Sequence, residues 1–448
     1  MTSALCVTVL AAGKGTRMRN PLAKVLHPLA GRSLIEHVLA NVAELSPERT
    51  VLVLADGMEE VAAVARRAPD TPTIVIQEPQ LGTGHALQAA LPALPTVGTV
   101  LVVYGDTPLL AASTLARLVA AREVAGAAVA VLGMRPSEPE GYGRLQVEEG
   151  RLVAIVEERD ADPVLRREAA CNSGVMAFDA TRLAELLAGL TLHQDKGEYY
   201  LTDTVALAVA RGWACVAIEG PAEEGLGVNS QQQLASAREL LQRRLRARLM
   251  DQGAILHAPD TLQLCVDAEV APGAVIEPYV IMGPGVRIGA GAVIRGFSHL
   301  EGATVGEGAE IGPFARLRRG TVVEAGARVG NFVETKNTRL EAGAKANHLS
   351  YLGDTVVGAA ANVGAGTISC NYDGFTKSAT RIGAGAFIGS NTALVAPVTV
   401  GERAIVAAGS TVTADVPADG FAVARARQTT REHGAERVRE RLRARKSG

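Results

Sequence analysis

The stretch VAPGAVIEPYVIMGPGVRIGAGAVIRGFSHL, residues 270–300, carries an aliphatic residue at every sixth position. The spacing continues to about residue 412, with three steps shortened by one residue and one longer interruption at residues 364–381. A period of six matches neither the 3.6-residue repeat of an α-helix nor the two-residue alternation of a strand. It is the signature of a parallel β-helix, in which each hexapeptide forms one face of a coil. The aliphatic positions are Val270, Ile276, Met282, Ile288, Ile294, Leu300, Val305, Ile311, Leu317, Val323, Val329, Leu340, Ala346, Leu352, Val357, Val363, Ile382, Ile388, Leu394, Val400, Val406 and Val412.

The composition limits the classes of function. A net charge of -2 over 448 residues gives no bulk electrostatic case for binding nucleic acid or an anionic membrane. The five cysteines form no CxxC pair, which argues against a zinc site or a disulfide framework and favours a reducing compartment, the cytoplasm. There is no run of 18 apolar residues, and no Lys or Arg precedes Lys14. We therefore expect neither a membrane span nor a signal peptide.

The chain is predicted to have three parts. Residues 1–228 alternate short aliphatic runs with helical patterns, which predicts βαβ units and a mainly parallel, doubly wound, Rossmann-like sheet. Residues 229–250 predict a linker helix, and residues 251–448 hold the hexapeptide repeats and end in a basic tail that we expect to be mobile from Gln428. Strands are predicted at 6–10, 50–54, 73–77, 99–103 and 127–132, and helices at 34–45 and 84–91.

The first predicted strand leads directly into LAAGKGTRM, residues 10–18. Its glycines allow backbone N–H groups to converge on an anion, while Lys14 and Arg17 add positive charge. Ligands of open α/β sheets bind at the carboxyl ends of strands, where this loop lies. The loop fits neither GxxxxGK[ST] nor GxGxxG, and on its own it is also compatible with a tight strand-to-helix turn.

Further polar motifs follow the loop. Lys24 adds another cation, QLGTGHA at residues 80–86 is a second glycine turn that opens a helix, and VVYGDTP at residues 102–108 ends a strand in Asp106. An aspartate at a strand end beside a phosphate loop is a natural Mg²⁺ ligand. The alternative role of Asp106 is that of a helix N-cap.

Taken in order, LAAGKGTRM, QLGTGHA and YGD resemble the sugar-nucleotide nucleotidyltransferases. GYGR (141–144), IVEERD (155–160), CNSG (171–174), EYYLTD (198–203) and GVN (227–229) extend the resemblance to the bacterial bifunctional enzymes. Those enzymes combine N-acetylglucosamine-1-phosphate uridylyltransferase with glucosamine-1-phosphate N-acetyltransferase activity, and their second domain is a left-handed parallel β-helix. The resemblance covers nearly the whole chain. Departures from the family pattern are Ala23 for a usual Pro, Arg159 for Lys and Ser173 for Thr.

The resemblance implies a set of residues for uridylyl transfer. Arg17 and Lys24 would lie near the UTP phosphates as catalytic cations, and Asp106 and Asn229 would hold Mg²⁺. Gln77, Gly82 and Thr83 would recognise uracil. The whole set implied for UTP and the UDP-sugar is Leu10, Ala11, Ala12, Gly13, Lys24, Gln77, Gly82, Thr83, Tyr104, Gly105, Asp106, Gly143, Glu157, Asn172 and Asn229.

Polar residues also interrupt the small-residue pattern of the coil. A charge on a solenoid is usually only solvated, but here many polar residues are concentrated between residues 316 and 377. His348 can accept a proton near neutral pH, because an imidazole has a pKa of about 6.5. Cations are suited to a sugar phosphate. The concentrated residues are Arg318, Lys336, His348, Tyr351, Asn362, Asn371, Tyr372 and Lys377.

For the coil, the resemblance implies that His348 is the general base of acetyl transfer. Amino-sugar-phosphate binding would fall to Arg318, Lys336, Tyr351, Asn362 and Lys377. Acetyl-CoA binding would fall to Ala365, Asn371, Tyr372, Ser390, Ala408 and Arg425. Cys370 lies nearby in sequence and is interpreted as a bystander, since direct attack by the amine needs no acyl-enzyme.

The resemblance implies a two-site enzyme of UDP-N-acetylglucosamine synthesis that feeds peptidoglycan and lipopolysaccharide-type precursors. Acetyl-CoA and UTP would be co-substrates, Mg²⁺ the metal, and a homotrimer the assembly implied by the resemblance. Two alternatives remain open from the sequence. One is a single-activity nucleotidyltransferase with a structural or regulatory coil, and the other is a non-catalytic scaffold that binds sugar nucleotides.

Overall fold

The computed structural model describes residues 4–446, and the chain divides into two units, Met1–Arg244 and Leu245–Gly448. The finer domain boundaries at residues 228 and 250 stay predictions. No helix within residues 4–446 has both the length and the apolar character needed to cross a membrane.

The first unit alternates strands and helices. Its strands are β1 (Leu5–Leu10), β2 (Pro28–Leu29), β3 (Arg32–Ser33), β4 (Arg49–Ala55), β5 (Thr73–Gln77), β6 (Thr99–Tyr104), β7 (Val129–Met134), β8 (Arg144–Glu148), β9 (Arg151–Val156), β10 (Cys171–Asp179), β11 (Leu192–His193), β12 (Glu198–Tyr199) and β13 (Cys215–Glu219). Its helices are α1 (Leu34–Ala43), α2 (Glu59–Ala65), α3 (Gly82–Ala90), α4 (Ala112–Val124), α5 (Pro163–Glu168), α6 (Ala180–Ala188) and α7 (Asp203–Ala210), and α8 (Gln231–Asp251) follows. Short 3₁₀ turns lie at Thr16–Met18, Lys24–Leu26 and Leu91–Ala93.

The main sheet of this unit has the strand order β13-β7-β10-β6-β1-β4-β5, with β8 and β9 attached through β10. Strand β1 pairs in parallel with β4 and β6, whereas β10 runs antiparallel to both β6 and β7. The doubly wound sheet predicted from the sequence is confirmed, with β10 as an antiparallel insertion. Because Leu10 pairs with Tyr104, the loops after β1 and β6 open side by side.

Both faces of this sheet are covered. Along β1, Val7 and Val9 contribute to the apolar cluster on one face, while Cys6 and Leu10 contribute to the cluster on the other. Burial on both faces explains why β1 is apolar at every position except Thr8 rather than alternating. The rigid strand end that results fixes the position of the loop that follows Leu10.

The second unit is the predicted left-handed parallel β-helix. Successive coils contribute strands to three parallel sheets, which have ten, nine and eight strands within the described residues. The first sheet comprises Ile255–Leu256, Val275–Ile276, Val293–Ile294, Glu310–Ile311, Arg328–Asn331, Lys345–His348, Asn362–Val363, Phe387–Ile388, Ile405–Val406 and Phe421–Ala422. The second comprises Gln263–Leu264, Ile281–Met282, His299–Leu300, Arg316–Leu317, Glu334–Lys336, Tyr351–Gly353, Ile368–Cys370, Ala393–Val395 and Thr411–Val412. The third comprises Glu269–Val270, Arg287–Ile288, Ala303–Val305, Thr321–Val323, Arg339–Leu340, Thr355–Val357, Thr380–Ile382 and Val398–Val400.

The six-residue ladder forms the interior of this coil. Every aliphatic position of the ladder from Val270 to Val412 is buried, which confirms the period as the fold signal. The interruption at residues 364–381 does not break the coil, since Ile368–Cys370 and Thr380–Ile382 keep their places in the second and third sheets. Only the chain between Cys370 and Thr380 departs from the coil, as a loop at the corner between those sheets.

The basic tail contains a helix, α9 (Gly434–Lys446), with no buried residue. The mobility that we expect from Gln428 stays a prediction. Acidic Glu436 in its first turn and Arg443, Arg445 and Lys446 in its last turn complement the helix dipole. Acidic residues followed by basic residues along a segment favour a helix, and this pattern was overlooked because the whole tail is polar.

Candidate active sites

A cavity of about 580 Å³ opens at the carboxyl edge of the first unit's sheet. The loops after β1, β5 and β6 contribute residues to its lining, and the Gly105 N–H donates to Leu10 O at 3.0 Å. Predicted site residues that line it are Leu10, Ala11, Ala12, Gly13, Arg17, Lys24, Gln77, Gly82, Thr83, Tyr104, Asp106 and Asn229. Residues that line it without having been predicted include Thr16, Gln80 and Glu198.

The loop after β1 depends on glycine at position 15. Gly15 has φ +62°, and an added Cβ would lie 2.7 Å from Lys24 Cβ. An L residue at this φ is strained, and the contact would displace Lys24 itself. The position of Lys24 beside the loop therefore depends on the backbone geometry at Gly15.

We expect Gly15→Ala to destabilise the chain by roughly 1 kcal/mol or more and to raise the KM for UTP. Thermal unfolding and initial-rate kinetics measure the two effects. Gly57→Ala is the control, because Gly57 also has a positive φ but has no atom within 4 Å of an added Cβ. That variant should lose stability with an unchanged KM for UTP. An unchanged KM in Gly15→Ala would contradict the role of this turn in placing Lys24.

A group of cations and oxygen ligands lies at the floor of the cavity. Lys24 Nζ is 2.5 Å from Asp106 Oδ2 and 3.2 Å from Asn229 Oδ1. Arg17 Nη2 donates to the same Asn229 oxygen at 3.0 Å. The Val228 N–H donates to Asp106 O at 2.8 Å, which fixes the chain carrying Asn229 beside β6. Residues far apart in the sequence thus form one polar centre.

The alternative role of Asp106 as a helix cap is wrong. Helix α4 begins at Ala112, and its N-cap residue is Ala111, which makes no side-chain cap. The Asp106 carboxylate instead faces Lys24, with a side chain only 15% exposed. A carboxylate so shielded is stabilised by a cationic partner, either an ammonium or a metal ion.

The residues predicted to recognise the base, Gln77, Gly82 and Thr83, also line the cavity. Buried Gln77 donates through Nε2 to Gly82 O at 3.0 Å, and Thr83 Oγ1 accepts from the Leu201 N–H at 3.2 Å. Gly82 has φ +90°, and Tyr199 O lies 2.8 Å from an ideal Cβ there, so only glycine fits. Burial and the nearby Asp106 charge raise the pKa of Tyr104 to about 12, so its phenol stays neutral.

The sugar-binding residues implied by the resemblance lie along β8, β9 and β10. The Asn172 N–H donates to Gly143 O at 2.8 Å, and the Gly174 N–H donates to Asn172 Oδ1 at 2.9 Å. An added Cβ on Gly174 would lie 2.7 Å from the Tyr104 ring, so this segment adjoins the cavity wall. Glu157 follows β9, and its carbonyl oxygen accepts from the Asp160 N–H at 2.9 Å.

The second candidate site lies on the outer face of the second sheet of the β-helix. Thr335, Leu352 and Ser369 are buried in this sheet, so their sequence neighbours point outward. The outward positions on successive strands are Arg316 and Arg318, Glu334 and Lys336, Tyr351 and Gly353, and Ile368 and Cys370. Three predicted sugar-phosphate residues therefore share one face.

His348 lies at the corner between the first and second sheets. Its Nδ1 is 2.8 Å from Asn331 Oδ1, one coil away in register. An amide oxygen can only accept, so Nδ1 carries the proton and Nε2 keeps a free lone pair. This tautomer leaves Nε2 able to accept a proton, as the role predicted for His348 requires.

The same corner continues along the coil as a column that we call the His348 corner. The Gly366 N–H donates to His348 O at 3.3 Å, and the Asn391 N–H donates to Ala365 O at 2.7 Å. One coil further, the Gly409 N–H donates to Ser390 O at 2.8 Å. The column contains four predicted acetyl-CoA residues, Ala365, Ser390, Ala408 and Arg425.

Positive charge collects at the other edge of the second sheet. The ammonium of Lys377 lowers the pKa of Lys336, its neighbour across the corner loop. Two ammonium groups held together favour an anion between them. Arg318 Nη1 lies 2.9 Å from Glu334 Oε1, which fixes a third cation on the same face.

Asp354 anchors the corner loop. Burial by itself raises the pKa of Asp354, but hydrogen bonds from Asn337 (2.7 Å) and Asn371 (2.6 Å) prevail and lower it. The Lys377 and Lys336 charges act in the same direction. Asn371 thereby holds an ionised carboxylate close to the two lysines.

One chain does not bring all predicted coil residues to one place. Asn362 lies on the first sheet, opposite Lys345, and therefore on a different face from Lys336 and Tyr351. Asn371 and Tyr372 lie at the corner after the second sheet, whereas the His348 corner precedes it.

Comparisons with known proteins cover the whole chain. Residues 7–203 match the family of MobA-like NTP transferase domains, and residues 379–414 match the bacterial transferase hexapeptide family (six repeats). The bifunctional protein GlmU of Paramagnetospirillum magneticum is 52% identical over 448 residues, covering 100% of this chain and 99% of that protein. The GlmU protein of Azorhizobium caulinodans is 51% identical, covering 97% of each chain. The chain belongs to the GlmU family of bifunctional proteins.

Membership of the GlmU family assigns an activity to each of the two units. The first unit is the nucleotidyltransferase and the second is the hexapeptide acetyltransferase. The supporting residues Asn331, Glu334 and Asp354 were missed from the sequence, because a polar side chain on a solenoid is usually only solvated. Each pairs with a residue 16 or 17 positions away, close to the length of one coil, and that spacing was the available signal.

Proposed function

We propose that this chain catalyses two successive transfers in UDP-N-acetylglucosamine synthesis. The β-helix moves an acetyl group from acetyl-CoA to glucosamine 1-phosphate. The first unit then moves a uridylyl group from UTP to N-acetylglucosamine 1-phosphate and releases pyrophosphate. This conclusion rests on similarity to bifunctional relatives over the full length of the chain. The two separate polar centres on the chain support it further.

For uridylyl transfer, the sugar 1-phosphate oxygen attacks the α-phosphorus of UTP in line, and pyrophosphate leaves. Arg17 and Lys24 neutralise phosphate charge, while Gln77, Gly82 and Thr83 hold the base. Gly143, Glu157 and Asn172 hold the sugar. Positioning and charge neutralisation dominate such reactions, and no covalent nucleophile is needed.

The residues at the floor of the cavity fit Mg²⁺. Asp106 Oδ2 and Asn229 Oδ1 converge on one cation, the Lys24 ammonium, at 2.5 and 3.2 Å. Mg²⁺ takes oxygen ligands and is commonly held by one or two carboxylates together with substrate phosphates. When bound, the ion would neutralise charge that develops on the phosphates.

For acetyl transfer, the amine of glucosamine 1-phosphate attacks the thioester carbonyl of acetyl-CoA. An N–C bond forms, the C–S bond breaks, CoA leaves, and His348 Nε2 takes the amine proton. Asn331 holds the imidazole through Nδ1 at 2.8 Å. Arg318, Lys336 and Lys377 bind the phosphate, with Tyr351 and Asn362 on the sugar. Acetyl-CoA lies along the His348 corner of one copy, with Asn371 and Tyr372 supplied by a neighbouring copy.

The anchored loop beside Lys377 gives a test of phosphate binding. Asp373 Oδ1 accepts from the backbone N–H groups of Phe375 (2.8 Å) and Thr376 (2.7 Å), which lowers the Asp373 pKa to about 2. Its contribution is complete above the unfolded pKa of about 3.9 and is lost only as pH falls towards 2. The turn should therefore be intact throughout the working pH range.

We expect Asp373→Ala to raise the KM for glucosamine 1-phosphate at least about threefold with little change in uridylyl transfer, since Lys377 loses its fixed position. Steady-state kinetics of CoA release measures this. Asp415→Ala is the matched control for Asp373→Ala, because Asp415 also accepts a backbone hydrogen bond, from the Thr399 N–H at 2.8 Å, but elsewhere on the coil. Equal KM values for the two variants would refute the positioning role of the turn.

A homotrimer is the assembly that we propose. Because Asn362, Asn371 and Tyr372 lie away from His348 within one chain, a neighbouring copy can supply them to a shared groove. An exposed aromatic stack supports association: Tyr279, Phe297, Phe314 and Phe332 are 47–55% exposed, with ring centroids 4.9 to 5.2 Å apart. The mass of the protein in solution, from light scattering, tests this assembly.

We also place the enzyme in the cytoplasm, where its five cysteines, all free, would stay reduced. There it would supply precursors of peptidoglycan and lipopolysaccharide-type envelope polymers. Exposed Cys370 lies on the face of the second sheet as a bystander, since the amine attacks directly.

Separate half-reactions test the function. Purified protein should release CoA with glucosamine 1-phosphate and acetyl-CoA, and pyrophosphate with N-acetylglucosamine 1-phosphate and UTP. Pyrophosphate release without CoA release would favour a single-activity nucleotidyltransferase with a structural coil. Binding of UTP with neither release would favour a scaffold.

A further inference from the structure

Both oxygens that fit the metal are already bound by cations of the chain itself. Lys24 Nζ contacts Asp106 Oδ2 at 2.5 Å and Asn229 Oδ1 at 3.2 Å. Arg17 Nη2 also occupies Asn229 Oδ1, at 3.0 Å. The side chains of Lys24 and Asp106 are only 12% and 15% exposed, so water screens their attraction weakly.

We propose that Lys24 is an internal counter-ion that blocks the metal position until a nucleoside triphosphate arrives. The proposal rests on the uridylyl transfer described above and assigns Lys24 a second role in it. In the free enzyme, the ammonium neutralises Asp106. In the complex, the phosphates attract Lys24 and Arg17, and the two oxygens become free for the metal.

The small number of metal ligands that the chain provides supports this exchange of Lys24 for a metal ion. Within residues 4–446, no group of three or more His, Cys, Asp or Glu side chains could hold a metal ion. One carboxylate and one amide oxygen hold Mg²⁺ weakly unless phosphate oxygens join them. A metal ion arriving alone would also have to displace a shielded ammonium and then remain beside it.

The charge of the cavity favours the same order of events. Its lining has three cationic side chains, Lys14, Arg17 and Lys24, against two carboxylates, Asp106 and Glu198. This excess of positive charge repels a free divalent cation and attracts a triphosphate. Metal and nucleotide should therefore each increase the affinity for the other by the same factor.

The test measures Mn²⁺ binding to the full, nucleotide-free chain by the loss of the free-ion electron paramagnetic resonance signal. Lys24→Met should bind Mn²⁺ at least about tenfold more tightly than the parent. The added affinity should disappear in the double variant with Asp106→Asn. Lys24→Arg, which keeps the charge, should bind as weakly as the parent.

Lys14→Met is the matched control, because Lys14 is an exposed lysine of the same cavity with the same charge. It should tighten Mn²⁺ binding much less than Lys24→Met. Thermal unfolding verifies that each variant is folded, and Lys24→Gln, which keeps a donor for Asp106, replaces Lys24→Met if methionine destabilises the chain. Equal Mn²⁺ affinity in the parent and the folded neutral variant would overturn the proposal.

Failure of the counter-ion role is separable from failure of the proposed function. Pyrophosphate release by the parent tests uridylyl transfer without reference to Lys24 variants. A parent that releases pyrophosphate, with Mn²⁺ affinity independent of Lys24, would overturn only the counter-ion. Lys24-dependent Mn²⁺ binding in an inactive parent would support the counter-ion and refute the uridylyl assignment.

Discussion

Replacement of His348 by alanine is expected to lower acetyl transfer at least about a hundredfold near neutral pH, because a positioned base contributes about 10² to 10⁴-fold. The substrate amine must lose a proton for the transfer to finish. His348 Nδ1 is engaged by Asn331 at 2.8 Å, which leaves Nε2 as the acceptor. CoA release with glucosamine 1-phosphate measures the effect.

Lys336 is the competing nitrogen base, since the neighbouring Lys377 ammonium lowers its pKa. A bound phosphate dianion between the two lysines would reverse that effect and keep both protonated. We therefore expect replacement of Lys336 to act mainly on the KM for glucosamine 1-phosphate.

The control for His348→Ala is His299→Ala. His299 belongs to the second sheet two coils before Glu334, and no role is assigned to it. This control should leave CoA release unchanged, and both variants should keep uridylyl transfer to supplied N-acetylglucosamine 1-phosphate. Parental CoA release by His348→Ala, still dependent on the amine, would exclude His348 as the base.

Asp106→Asn should lower uridylyl transfer at least about tenfold, roughly 1.4 kcal/mol of transition-state stabilisation. The substitution nearly preserves size but removes the negative charge that faces Lys24 at 2.5 Å. Acetyl transfer should be unchanged, because the coil site shares no residue with this cavity. Pyrophosphate release in the presence of Mg²⁺ measures the loss.

Asp56→Asn is the control for this carboxylate. Asp56 is exposed and directly follows β4, a parallel strand beside β1, but it does not line the cavity. It should retain parental activity. Near-parental pyrophosphate release by Asp106→Asn would show that the metal assignment is wrong.

The sequence was sufficient for the coil because its signal is local and repeated. In a six-residue repeat, the side chain of a residue such as Ile294 or Leu352 must point into the coil, and both side chains are fully buried. Strand β10 shows the opposite case. Its pairing with β6 and β7 is antiparallel, and direction is decided by partners far away in the sequence rather than by the residues of Cys171–Asp179.

The charged residues of the two sites could be predicted from the sequence, but the contacts between these residues could not. Lys24, Asp106 and Asn229 could be named from motifs, yet their mutual contacts depend on a fold that joins residues more than 80 and 200 positions apart. On the coil, the contacts of Asn331 with His348 and of Asp354 with Asn371 could not be predicted from a motif. Roles assigned through the resemblance remain predictions for the variants to test.

The most direct test of the two-site account is one reaction with purified protein, glucosamine 1-phosphate, acetyl-CoA, UTP and Mg²⁺, in which CoA and pyrophosphate are followed separately. We predict that CoA appears first and that pyrophosphate follows after a lag, in a final ratio near one to one. Omission of acetyl-CoA should abolish both products. Pyrophosphate release from glucosamine 1-phosphate and UTP without acetyl-CoA, or CoA release that pyrophosphate never follows, would contradict the account.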